Sequence, residues 1–143
     1  MVKSPVSTQS EFATPRDQML VLDFNQVGIV DVPIVGGKNA SLGEMIQHLS
    51  SQGVSVPNGF ATTAHAYRYF IESAGLEEKL RMLFADLDVE DVNNLRSVGK
   101  QARMLMLQTP FPQDLQAAIA ERYAALCNEY GADTDVAVRS SAT

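Results

Sequence analysis

Cysteine is almost missing from this chain: Cys127 stands alone among 143 residues. That excludes an intrachain disulfide and any cysteine cluster for zinc, and it suits a reducing compartment. Long hydrophobic runs are missing too, with no stretch of about 18 apolar residues of the kind that spans a bilayer. The first residues lack the apolar core of a secretory signal, so the expected location is cytoplasmic, with no membrane partner. Positive charge is scarce, 11 Lys and Arg against 17 Asp and Glu, for a formal net charge of −6. A nucleic-acid or anionic-membrane binder needs a basic surface, so this balance argues against both and leaves room only for a local anion site. There is no Gly-x-Ser-x-Gly turn and no supported nucleophile–base pair. His48 and His65 have no acidic or cysteine partners at metal-ligand spacing, so both read as structural or solvated and no metal site is expected from these residues.

What is present suits one globular domain, with 45% apolar and 20% charged residues and enough length to bury a core. Residues 1–17, rich in Ser, Thr and Pro, read as a flexible leader, and the folded part is expected over 18–143. Met19-Leu20-Val21-Leu22-Asp23-Phe24 suits a buried strand, with a turn or loop from Asn25 to Pro33. Leu42, Met45, Ile46 and Leu49 recur at i, i+3, i+4 and i+7, which predicts a helix starting just after Lys38 and stopping at Gly53. Pro57-Asn58-Gly59 marks a turn into a second short strand, and Thr62 or Thr63 can cap a helix whose inner face holds Ala64, Tyr67, Phe70 and Ile71. After a break at Gly75, helical spacing resumes through Leu76, Leu80, Leu83, Phe84 and Leu87. Asp88 is the expected cap of a longer helix with Val92, Leu95, Ala102, Leu105 and Met106, ended by Thr109-Pro110-Phe111-Pro112. The last helix carries Leu115, Ala118, Ile119, Tyr123, Leu126 and Tyr130. Val136-Ala137-Val138 reads as a third strand.

Two places carry chemistry. At Gly36-Gly37-Lys38 the backbone can approach an anion, the first amides of the coming helix lack partners, and the lysine adds a cation, a combination suited to phosphate. It is not a Walker loop, because Val32 and Asn39 stand where Gly and Ser or Thr are required. The same residues equally describe a glycine turn with a solvated lysine ahead of a core helix. At the exit of the third expected strand, Arg139 offers a planar fork of donors, and the hydroxyls of Ser140, Ser141 and Thr143 can add single hydrogen bonds.

Taken together, Val35-Gly36-Gly37-Lys38-Asn39-Ala40-Ser41-Leu42-Gly43-Glu44-Met45, Val54-Ser55-Val56-Pro57-Asn58-Gly59-Phe60-Ala61-Thr62-Thr63 and Val138-Arg139-Ser140-Ser141-Ala142-Thr143 form an ordered set. It resembles the N-terminal ATP-grasp region of the phosphoenolpyruvate synthase (pyruvate, water dikinase) family from about Met19 to Thr143. The resemblance implies an α/β or α+β ATP-grasp subdomain, with short strands near 19–24, 59–62 and 135–139 and packed helices between. It implies that Lys38 and Arg139 contact ATP phosphates, with backbone contacts available at Gly36 and Gly37. The family makes phosphoenolpyruvate, AMP and phosphate from pyruvate, ATP and water through a phosphohistidine, assisted by magnesium. The acidic metal ligands, the phosphohistidine domain and the pyruvate-binding barrel of the family have no counterpart here. The chain is therefore expected to be catalytically incomplete by itself, with the remainder of a synthase or a second chain as its partner. The alternative is a non-catalytic nucleotide-binding or interaction module acting through a partner.

Overall fold

The computed structural model describes residues 14–143, so most of the expected leader lies outside the described residues. Strand β1 (Val21–Asp23) pairs antiparallel with β2 (Phe60–Thr62), with Val21 opposite Thr62 and Asp23 opposite Phe60. Around this ribbon lie α1 (Val32–Val35), α2 (Gly37–Leu49), α3 (Ala64–Ser73), α4 (Leu76–Phe84), α5 (Val92–Leu107) and α6 (Gln113–Tyr130). The class is α+β. The third expected strand does not form. An apolar run becomes a strand only where an edge pairs its N–H and C=O groups, and among the described residues β1–β2 is the only ladder. Val136 and Val138 are accordingly left 50% and 93% exposed.

Two apolar cores flank the ribbon. Leu22, Val27, Val35, Ala40 and Ala61 make the first, and Ala66, Phe70, Leu76 and Leu115 make the second. Leu22 belongs to the first core while Leu20 packs on the second, so the chain entering β1 joins them. The Phe70 ring meets Phe111 edge-on with centroids 5.1 Å apart, a geometry worth about 0.5–1.5 kcal/mol beyond the area it buries.

Local signals placed several boundaries well. Thr63 caps α3 by accepting the Ala66 amide at 3.0 Å, Gly53 and Gly75 both adopt left-handed turns, and α6 starts directly after Pro112. Three local readings are corrected. The loop from Asn25 to Pro33 tightens into 3-10 turns and then α1, because Pro33 supplies a helix-ready φ in the first turn. Asp91, not Asp88, caps α5, its Oδ1 accepting the Asn93 amide at 2.9 Å; Asp88 instead closes a tighter turn by accepting from Glu90 at 3.0 Å. Tyr67, expected on the inner face of α3, is exposed, and Ala66 is buried in its place.

The largest departure concerns α2. Its buried residues are Ala40 and Gly43, whereas Leu42 and Ile46 are half-buried and Met45 is exposed. Gly43 lies so close to the preceding loop that a Cβ there would sit 2.0 Å from the Val27 carbonyl oxygen. Small residues let the helix lie against backbone, which turns the larger side chains aside. Gln47 Nε2 donates to that same Val27 carbonyl at 2.8 Å, and Glu44 accepts the Ile29 amide at 2.8 Å.

Arg16, within the segment expected as leader, is tied into this region. Its guanidinium grips Asp31 with two bonds of 3.0 and 2.8 Å and also donates to the Gln26 carbonyl. Asp31 is buried and accepts the Gly28 amide as well, at 2.9 Å. The Arg16 hydrogen bond, aided by Gly28, holds the Asp31 carboxyl below the usual carboxylate range against the opposing effect of burial.

Candidate functional site

Helix α1 ends at Val35, and Gly36 turns the chain into α2 with φ 81° and ψ 161°, a conformation almost confined to glycine. Side chain and backbone of Asn39 then work on different partners: Nδ2 donates to the Val35 carbonyl at 2.8 Å, closing α1, while its amide points to Ser141 Oγ at 3.4 Å. The Gly37 amide donates to the Ala142 carbonyl at 3.2 Å. Lys38 Nζ donates to the Ser140 carbonyl at 3.2 Å. Residues 139–143 are thereby laid across the start of α2, and the two stretches singled out in the sequence meet.

Their meeting forms a cleft of ≈330 Å³ lined by Lys38, Leu42 and Met45, which follow one another along a face of α2, and by Arg139. Among the described residues no carboxylate lies within ion-pair distance of Lys38 or Arg139. A lysine in the first turn of a helix faces the positive end of the dipole, an arrangement that costs about 0.3–1 kcal/mol by itself. Lys38 spends one of its three donors on Ser140, leaving two for a ligand. An anion bridging the two cations relieves both.

The glycines behave differently from one another. The Gly36 amide donates to the Val32 carbonyl at 2.9 Å and the Gly37 amide to Ala142, so both amides expected to face an anion are paired within the chain. Gly36 is required by its turn and by the approach of Ser141. Gly37 lines the cleft, and a Cβ built on it would meet nothing within 4 Å. Ser141, grouped in the sequence with the hydroxyls facing a ligand, bonds to α2 instead. What sequence reading missed is this Asn39–Ser141 connection and the apolar wall of Leu42 and Met45. A helix opening on glycine, with no capping side chain of its own, was the available signal.

A larger cleft of ≈460 Å³ lies elsewhere, bordered by His65, Tyr69, Asp114, Glu121 and Arg122. Arg122 is engaged with Asp23 at 3.4 Å, and Tyr69 donates to both Asp114 oxygens at 3.0 and 3.1 Å. Two carboxylates beside a paired arginine make this surface a poor host for phosphate. His65 stacks on Tyr69 there, and His48, expected to lack an acidic partner, has one in Glu44, one helical turn earlier, which it meets at 2.9 Å. Among the described residues no three His, Cys, Asp or Glu side chains gather as metal ligands. The Lys38–Arg139 cleft has no carboxylate in its lining, so these residues do not fit a magnesium site. No helix is long and apolar enough to cross a membrane among the described residues.

Comparison with known proteins shows the family. The chain is 59% identical over 148 residues to the phosphoenolpyruvate synthase of Synechocystis sp. (strain ATCC 27184 / PCC 6803 / Kazusa), covering 100% of this chain and 18% of that protein. It is 52% identical over 124 residues to the phosphoenolpyruvate synthase of Neisseria meningitidis serogroup B (strain ATCC BAA-335 / MC58), covering 86% of this chain and 16% of the relative. With the Escherichia coli (strain K12) phosphoenolpyruvate synthase the identity is 50% over 124 residues, covering 87% and 16%. The chain thus spans less than a fifth of the length of the curated relatives it matches. Residues 32–143, which contain α1, α2 and the segment crossing them, match the pyruvate phosphate dikinase, AMP/ATP-binding domain, and the chain belongs to that family.

Proposed function

We propose that the chain holds ATP by its phosphates in the Lys38–Arg139 cleft, as part of an ATP-grasp nucleotide domain over 18–143 that follows a leader over 1–17. The observation that carries this reading is the convergence on one cleft of two cations without carboxylate partners among the described residues, in a chain of net charge −6. Lysine gives a compact charge that can follow a phosphate, and arginine gives a fixed fork that orients one. Gly37 leaves the cleft floor open for close approach. Phosphoryl transfer depends largely on positioning and neutralising charge, and this is the chain's own share of the chemistry.

The wider activity is proposed from the resemblance and from the names of the relatives: synthesis of phosphoenolpyruvate from pyruvate, ATP and water in the cytoplasm by a longer protein. Neither histidine is the phosphate carrier. Magnesium, which would offset phosphate charge when bound, takes its protein ligands from outside this chain. Titration with ATP by calorimetry, on the chain and on Lys38→Ala and Arg139→Ala variants that retain the native circular dichroism, tests the reading. Each variant loses one or more charge-assisted bonds of about 1.5–3 kcal/mol, so affinity falls about 10- to 100-fold. Unchanged affinity in both variants overturns it.

A further inference from the structure

Helix α2 opens on a residue that cannot cap it. Gly36 has no side chain to offer, and the first amides of a helix need acceptors from somewhere. They come from a segment distant in sequence: Ser141 Oγ, 102 residues on, faces the Asn39 amide, the third of the helix, and the Ala142 carbonyl takes the Gly37 amide, the first. The third amide is the one a capping hydroxyl ordinarily serves from the residue just ahead of the helix. The fit is close, since a Cβ on Gly36 would sit 2.3 Å from Ser141 Oγ. Ser141 is half-buried here while Ser140 and Thr143 are exposed.

We infer that Ser141 is a positioning residue for the phosphate site: its hydroxyl caps α2 across the chain and so fixes Arg139, two residues earlier, at the cleft that Lys38 lines. The inference rests on the reading of Lys38 and Arg139 given above. Asn39 makes the joint rigid, because its side chain closes α1 at Val35 while its backbone amide meets Ser141. The local consequence is that the spacing between the two cations is set by one hydroxyl and two backbone carbonyls. The functional consequence is that Ser141 affects nucleotide affinity through Arg139 without touching the nucleotide.

A double-mutant cycle on the full chain tests this, with ATP affinity measured for Ser141→Ala, Arg139→Ala and the two combined. Ser141→Ala alone weakens binding about 3- to 10-fold, the equivalent of a lost cap of about 1 kcal/mol. In the Arg139→Ala background the same change costs less than about twofold, because the residue it acts through is gone. Ser141→Thr, which keeps the oxygen, restores affinity relative to the isosteric Ser141→Val, and this pair decides the matter if Ser141→Ala does not fold. Additive losses overturn the inference, since they mean that Ser141 contacts the ligand itself, and so does equal affinity in the Thr and Val variants. If Lys38→Ala and Arg139→Ala leave ATP binding intact, the reading of the cleft falls first. If they weaken it and the Ser141 variants do not, the inference alone falls.

Discussion

Gly36 and Ser141 touch so closely that a single methyl group on the glycine would overlap the serine hydroxyl, at 2.3 Å from Oγ. The contact joins the turn before α2 to Ser141, which lies 102 residues beyond Asn39 in the first turn of the helix, and it brings Lys38 and Arg139 to one cleft. Glycine is needed here for two reasons, the positive φ and the approaching chain.

Gly36→Ala is therefore expected to cost about 2–6 kcal/mol, from backbone strain of about 1–3 kcal/mol and overpacking of similar size. Gly37→Ala, one residue on, meets nothing within 4 Å and is expected to change stability by less than about 1 kcal/mol, while weakening ATP binding by blocking close approach. Urea denaturation of the two variants beside ATP titration of Gly37→Ala checks both halves. Equal stability losses at 36 and 37 contradict the account.

Gly43→Ala is expected to destabilise by more than about 2 kcal/mol, because the new methyl falls 2.0 Å from the Val27 oxygen and 2.8 Å from the Phe24 oxygen, and carbonyls held in a packed loop yield little. Met45→Ala, on an exposed position of the same helix, is expected to cost less than about 1 kcal/mol. Thermal melts of the pair decide which residues form the buried face of α2.

The Arg16–Asp31 pair predicts a pH signature. Asp31 titrates below its ordinary value of about 3.9, so the folded state binds its proton less readily than the unfolded chain. Its stabilisation is complete above that ordinary value and is lost as pH falls through the depressed folded value. Arg16→Ala leaves a buried carboxylate without its main partner and is expected to cost about 1–3 kcal/mol near pH 7, less than a fully buried pair because Arg16 is exposed to solvent. The gap between wild type and variant narrows as pH drops below about 4. Urea midpoints from pH 7 to 2.5 measure it, and a constant gap contradicts the assignment.

These positions also show what the sequence could reveal. Signals acting over a few residues were legible: Thr63 as a cap, Gly53 and Gly75 as turns, and Pro112 ahead of α6, because each is set by its own backbone. The order of short motifs made the family resemblance legible as well. Burial on α2 was not, because Leu42 and Met45 match a helical apolar stripe yet Gly43 lies against the Val27 carbonyl, a contact with a loop whose path no local pattern gives. The strand expected around Val136 failed for the same reason, since pairing depends on a distant edge. Within the site, Lys38 and Arg139 could be named separately from their chemistry, whereas the Asn39–Ser141 bond that brings their segments together leaves no local trace except an uncapped glycine start.

The most direct measurement is an amide chemical-shift map of the isotopically labelled chain during titration with ATP, carried to about 10 mM, beyond which binding is weaker than about 3 kcal/mol. With the phosphates held between Lys38 and Arg139, the perturbed amides are expected to centre on Gly37, Lys38, Asn39 and Arg139, with Tyr69, Asp114 and Arg122 silent. Shifts centred on the Tyr69–Arg122 cleft, or none at either place, would contradict it.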